Sequence, residues 1–313
     1  MKNELCILFL LSGIPVFLIS LYLLPYMADK GLRNCRLLIY KQWNRFDKID
    51  SMSNLLIMGN SRASCHIDPE IFDTYLPFHS YNLGLNDGGM DAILHAWHLY
   101  RMHIKKIPCI ILLSVDWGTL ETINNPSMRK NEYLPWCNDP AWRAIISKAG
   151  FTFADKKVPL WKYRRRRHFL LKGLKEYAGI QRSGYGGDIL SYERGYICLD
   201  DKVPMIEWKP LGEIVLDFSS LDMFFQMCRQ ENIKVICFYS PVYSSFCNQS
   251  EISSRTLISN HIRNLDIPFL DYSEREENSD SSYFKDSLHL NCKGAAWFTR
   301  LLAHDVATVL EIR

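Results

Sequence analysis

The chain has 313 residues, enough for one large domain or two small ones, and its 48% hydrophobic content is ample for a packed core. A formal charge of +3 at that length excludes a protein whose whole surface serves nucleic acid. The ten cysteines form no Cys-x-x-Cys pair and no compact framework, so no zinc site is expected and the redox compartment stays open.

Residues 6 to 27 contain no charged side chain, and about 20 apolar residues in a helix match a bilayer core of about 30 Å, so this run is expected to be a membrane segment. Tyr26-Met27-Ala28 lacks the small residue expected two places before a cleavage-site alanine, which favours an uncleaved anchor over a signal peptide. Lys30, Arg33, Arg36, Lys41 and Arg45 follow the segment, and the positive-inside rule alone would keep the rest of the chain cytoplasmic. Residues 1–28 are therefore expected as an anchor, 29–52 as a juxtamembrane linker and 53–313 as the main domain.

From residue 53 onward, strand-like runs alternate with helix-like segments, the pattern of a parallel sheet wrapped by helices. Strands are expected at Leu55–Met58, His79–Asn82, Pro108–Val115, Ile233–Tyr239 and Ile267–Leu270, giving five in parallel. Helices are expected at Met90–Ile104 and near 212–230, 250–264 and 293–310. Residues 117–210 interrupt the rhythm with aromatics, turns and the basic run Arg164 to Arg167, and read as a long inserted cap. Cys109 and Cys237 lie in apolar runs and read as small buried hydrophobes.

Ser61 follows the first strand, where open α/β sheets place ligands, and Asp286 and His289 stand three residues apart near the other end of the chain. A serine hydroxyl needs a base to take its proton, and an imidazole needs a carboxylate to fix its tautomer and steady its charge. Order and spacing therefore point to Ser61 as nucleophile, His289 as base and Asp286 as orienting acid.

Gly59-Asn-Ser61 with Asp286-Ser-Leu-His289 resembles the SGNH (GDSL-like) hydrolase superfamily, in which a block near the start supplies the nucleophile and an Asp-x-x-His block near the end supplies acid and base. The resemblance covers roughly residues 53–120 and 210–310. It implies a three-layer, flavodoxin-like α/β fold and an esterase or O-acyltransferase working through an acyl-serine, with no cofactor and no metal. The oxyanion donors it implies are the N–H groups of Ser61 and Gly84. The side-chain asparagine that normally completes that hole is replaced by Asp116, leaving four alternatives: Asp116 is protonated, or it binds substrate hydroxyls, or Asn86 supplies the donor, or Asp116 is a plain turn residue at the strand end. Arg62 is expected either to grip an anionic substrate group or to brace the site against Asp87 or Asp91, and Tyr243 either to line the pocket or to lie at the surface. Anchored members of this superfamily carry the domain outside the cell and modify acyl, chiefly acetyl, groups of envelope polysaccharide or lipid-linked sugar beside a multi-spanning acyltransferase. The alternative is a non-catalytic glycan-binding or assembly subunit on the same fold.

His95 and His98 have metal-ligand spacing but no supporting carboxylate or cysteine pattern. The Arg164–Arg167 run suits anionic lipid or acidic glycan better than nucleic acid, and a solvated basic helix better still.

Overall fold

A computed structural model describes residues 19–46, 49, 53–121, 129–180, 184, 189–200, 214–247 and 249–312. The chain divides into two compact units. The first draws on the described residues of Met1–Asn44 and Asn125–Tyr185, the second on those of Arg45–Asn124 and Gly186–Arg313.

The first unit is helical. It contains α1 (19–34), α2 (Leu38–Lys41) and, later in the chain, a run of short helices with a longer one at Arg167–Tyr177. The stretch read as a linker from 29 to 52 is packed: its part up to residue 44 belongs to the first unit, and Arg45, Phe46 and Ile49 are buried in the second. Tyr40 and Trp43 are buried, and Trp43 meets the rings of Tyr133 and Trp142 edge-on at 5.6 and 5.2 Å. Burying each of these aromatics removes a large apolar area from water. Residues 6–18 of the expected membrane segment lie outside the described residues. Among the described residues no helix is long and apolar enough to cross a membrane.

The second unit begins with β1 (Leu55–Met58), α3 (Ser61–His66), α4 (Pro69–Tyr75), β2 (Ser80–Asn82), α5 (Met90–His103), β3 (Ile110–Ser114) and α6 (Trp117–Leu120). In the other unit's insertion come α7 (Lys130–Tyr133), α8 (Arg143–Lys148), α9 (Phe153–Lys157) and α10 (Arg167–Tyr177). The sheet unit resumes with β4 (Ile189–Glu193), β5 (Tyr196–Leu199), α11 (Ser219–Gln230), β6 (Lys234–Tyr239), α12 (Gln249–Arg263), β7 (Phe269–Asp271) and α13 (Cys292–Leu310).

All five predicted strands form one parallel sheet in the order β2-β1-β3-β6-β7. Counted along the parallel strands alone this is 2-1-3-4-5, the flavodoxin-like order, whose direction reverses between β1 and β3. Every residue of β1 and β3 is buried, as expected of strands covered on both faces. Alternate residues, among them Leu55, Ile57, Leu112, Ile236 and Phe238, enter one core with Phe298, Leu302 and Val306 of α13.

Three features differ from expectation. Helix α11 starts at Ser219, because Leu216 pairs antiparallel with Glu121 and the Asp217 carboxylate accepts the Ser219 N–H. Cys109 is exposed just ahead of β3, whereas Cys237 is fully buried in β6. The predicted cap at 117–210 is also not one piece. Its last part is an antiparallel hairpin, β4–β5, belonging to the sheet unit, where Asn82 N–H donates to Arg194 O and a disulfide joins Cys198 to Cys292.

Candidate active site

β1 ends at Met58, and Gly59 turns the chain with φ of 146°. A Cβ there would lie 2.7 Å from that of Ser114 and 2.9 Å from that of Ala63, so only glycine admits both the turn and the close approach. Asn60 then caps α3, its Oδ1 accepting the Arg62 N–H at 3.0 Å. This sets Ser61, half-buried, as the first helical residue at the crevice outside β1 and β3, the switch point of the sheet.

Asp286 and His289 arrive on the loop before α13. Lys285 N–H donates to His289 O, Phe284 bridges Leu290, and the Asn291 side chain caps α13 by accepting the Gly294 N–H. His289 Nδ1 lies 2.9 and 3.0 Å from the two Asp286 oxygens, and Nε2 lies 2.8 Å from Ser61 Oγ. With Nδ1–H directed at the carboxylate, Nε2 is the acceptor for the serine proton. Burial draws the Asp286 carboxyl upward. The His289 ring and the N–H groups of Leu288 and His289 outweigh that, and the group titrates below the ordinary carboxylate value.

The expected oxyanion donors fare differently. Ser61 N–H, at the first turn of α3, donates to no group among the described residues. Gly84 N–H is instead taken by Asn82 Oδ1 at 2.9 Å, and a Cβ on Gly84 would meet Ser64 N at 2.4 Å. Gly84 thus serves close packing of its loop on α3 rather than donating into the site. Asn86 sits half-buried in the turn at 86–87.

Arg62 and Asp116 are buried and face each other, Nη1 to Oδ2 at 3.0 Å. Asp116 also accepts both contacts of Asn60 Nδ2, at 2.8 and 2.9 Å, and caps α6 through a reciprocal box with Thr119. Arg62 further donates to Ser240 O and stacks its guanidinium on the Tyr239 ring at 4.6 Å. Both side chains are engaged by protein groups, and the brace of Arg62 is Asp116, not Asp87 or Asp91. The reason is proximity: the ends of β1 and β3 are neighbours, which only the strand order reveals. Tyr243 donates its N–H to Ser287 O at 3.0 Å and packs its ring 5.5 Å from Phe284, so it steadies the loop that carries Asp286 and His289.

Sequence reading missed His66. It is fully buried, its Nε2 accepts the Leu290 N–H at 3.1 Å, and its ring stands edge-on to His289 at 6.3 Å. No periodicity marks such a residue; its position five after Ser61 was the only available signal. His95 and His98 stack their rings 6.4 Å apart, and no cluster of three or more metal-ligand side chains occurs among the described residues.

Fold and site together define a doubly wound α/β protein carrying a serine–histidine–aspartate relay. No family model matches the chain, and no curated protein matches it in sequence. Among solved structures, a protein assigned as an acylhydrolase from Bacteroides fragilis NCTC 9343 is similar at 12% identity and a TM-score of 0.43, over 85% of this chain and 94% of that one. A protein assigned as lipolytic, of the G-D-S-L family, from Desulfitobacterium hafniense DCB-2 gives 9% and 0.41 over 80% and 98%. A family two carbohydrate esterase from Clostridium thermocellum gives 8% and 0.38 over 82% and 64%. Likeness this loose carries no function; that rests on the site's geometry.

Proposed function

We propose that this chain is a serine esterase of the SGNH (GDSL-like) type, cleaving or transferring an acyl ester through an acyl-Ser61 intermediate. The observation that carries the reading is the continuous relay from Asp286 through His289 to the Ser61 hydroxyl, at the crevice where such sheets bind ligands.

On this reading Ser61 Oγ attacks the ester carbonyl while His289 Nε2 takes its proton, and Asp286 holds Nδ1–H and offsets the imidazolium charge. His289 then returns the proton to the departing alcohol oxygen. Water, or a sugar hydroxyl in transfer, gives its proton to the same nitrogen and releases the acyl group. Ser61 N–H is free to face the oxyanion, and each such donor contributes about 3–4 kcal/mol to barrier lowering. The substrate we favour is an acetyl ester on envelope polysaccharide or lipid-linked glycan. The uncharged run at 6–27 serves as anchor, the domain faces outside, and a multi-spanning acyltransferase is its partner.

A second reading, a non-catalytic glycan-binding subunit, is favoured by one observation. Asp116 stands where a side-chain amide would complete the oxyanion hole, and both the Asn60 amide and Gly84 N–H are spent elsewhere. Fluorophosphonate labelling separates the two: labelled wild type with unlabelled Ser61→Ala supports the esterase, whereas wild type as silent as Ser61→Ala supports the binding subunit. Turnover of an aryl acetate with and without added sugar then distinguishes hydrolysis from transfer.

A further inference from the structure

The helical unit holds a cavity of about 570 Å³ that the esterase reading does not use, within the range of about 300–1,000 Å³ common for ligand sites. One wall is α1, which presents Tyr22, Tyr26 and Lys30 at four-residue steps; the other includes Lys156, Lys157 and Val158 at the end of α9. Its carboxylates are all engaged. Asp29 holds Lys162 at 2.6 Å, Asp139 holds Arg33 at 3.4 Å, and Asp155 takes Lys130 and Arg164 at 2.8 and 3.1 Å. Lys30, Lys156 and Lys157 have no carboxylate partner among the described residues, and Lys30 lies only over the Tyr26 ring.

The cavity is therefore cationic, yet apolar rings surround its mouth. Tyr22 is 66% exposed, Tyr26 55% and Val158 45%, and Phe153 and Trp161 are exposed on the same stretch of chain. A soluble surface seldom leaves so many large apolar groups in water beside lysines, whereas tyrosine and lysine together are the usual lining of a membrane–water boundary. The chain entering α1 is uncharged from residue 6 to residue 28, and the anchor reading proposed above, on which this inference rests, sets a lipid surface beside this wall. We propose that the cavity binds the headgroup of an anionic phospholipid. The three lysines surround the phosphate, and Tyr22, Tyr26 and Val158 lie against the glycerol and upper acyl chain. This inference stands apart from the chemistry of Ser61.

The test uses the full chain in an uncharged detergent, titrated with monomeric dihexanoyl phosphatidylglycerol and, separately, dihexanoyl phosphatidylcholine, with binding read by native mass spectrometry and calorimetry. Phosphatidylglycerol should bind roughly tenfold tighter or more, weaken with salt, and lose roughly tenfold or more in Lys156→Glu/Lys157→Glu. Lys30→Gln, on the opposite wall, gives the same loss if the double variant fails to fold. Equal binding of the two lipids, or unchanged binding in the folded variants, overturns the proposal. Inorganic phosphate displacing the lipid at equal concentration also overturns it, revealing a free-anion site instead.

Discussion

His66 makes no hydrogen bond to the side chains of Ser61, Asp286 or His289, yet it helps to set where the His289 ring stands. Burial drives its pKa well below the ordinary histidine value and keeps it neutral, so Nε2 can accept the Leu290 N–H next to His289. His95 shows the same physics away from the site: burial first, and His98 second, push it down to about 3. In the unfolded chain a histidine titrates near about 6.5. Between those values the unfolded chain holds a proton that the folded chain does not, so stability falls as pH drops from about 6.5 to about 3 and levels off below. His95→Phe should flatten that slope, leaving the part due to His66. Urea midpoints measured across the window check this, and a slope identical to wild type contradicts it.

At the scale of elements, Ser61 is held by the segments that leave two adjacent strands. Asn60 and Arg62 lie just past β1, Asp116 just past β3, and their side chains close on one another inside the protein. Removing one member of such a pair leaves a buried charge without its partner and costs about 3–5 kcal/mol. Arg62→Met should therefore lower urea stability by that amount, and Arg62→Met/Asp116→Ala should lose less than the sum of the single changes. Additive losses would show that the two side chains do not act as a unit. The carboxylate where the resemblance expects an asparagine is thus accounted for by helix capping and ion pairing.

Across the whole molecule, the disulfide between Cys198 and Cys292 joins residues 94 apart and ties the β4–β5 hairpin to the start of α13, three residues beyond His289. A cross-link closing so long a loop restricts the unfolded chain, with a typical contribution of about 2–5 kcal/mol. Replacing both cysteines by alanine should lower the unfolding free energy by that amount, and with it the denaturation midpoint, under non-reducing conditions, and abolish the response to dithiothreitol. A midpoint indifferent to both treatments would count against the bond.

The five parallel strands and the relay of Ser61, His289 and Asp286 were legible in the linear chain, because hydrophobic runs and short motif spacings are local patterns. So was the serine's place at a strand end. The partner of Arg62, the engagement of Gly84 N–H, the cross-link to Cys292 and the packing of residues 29–46 were not. Each depends on which distant segments become neighbours, and a carboxylate or an amide in sequence looks the same whether it faces substrate, a helix N-terminus or a buried guanidinium. Residue type and spacing determined what chemistry was possible here; through-space distance decided which groups remained free to perform it.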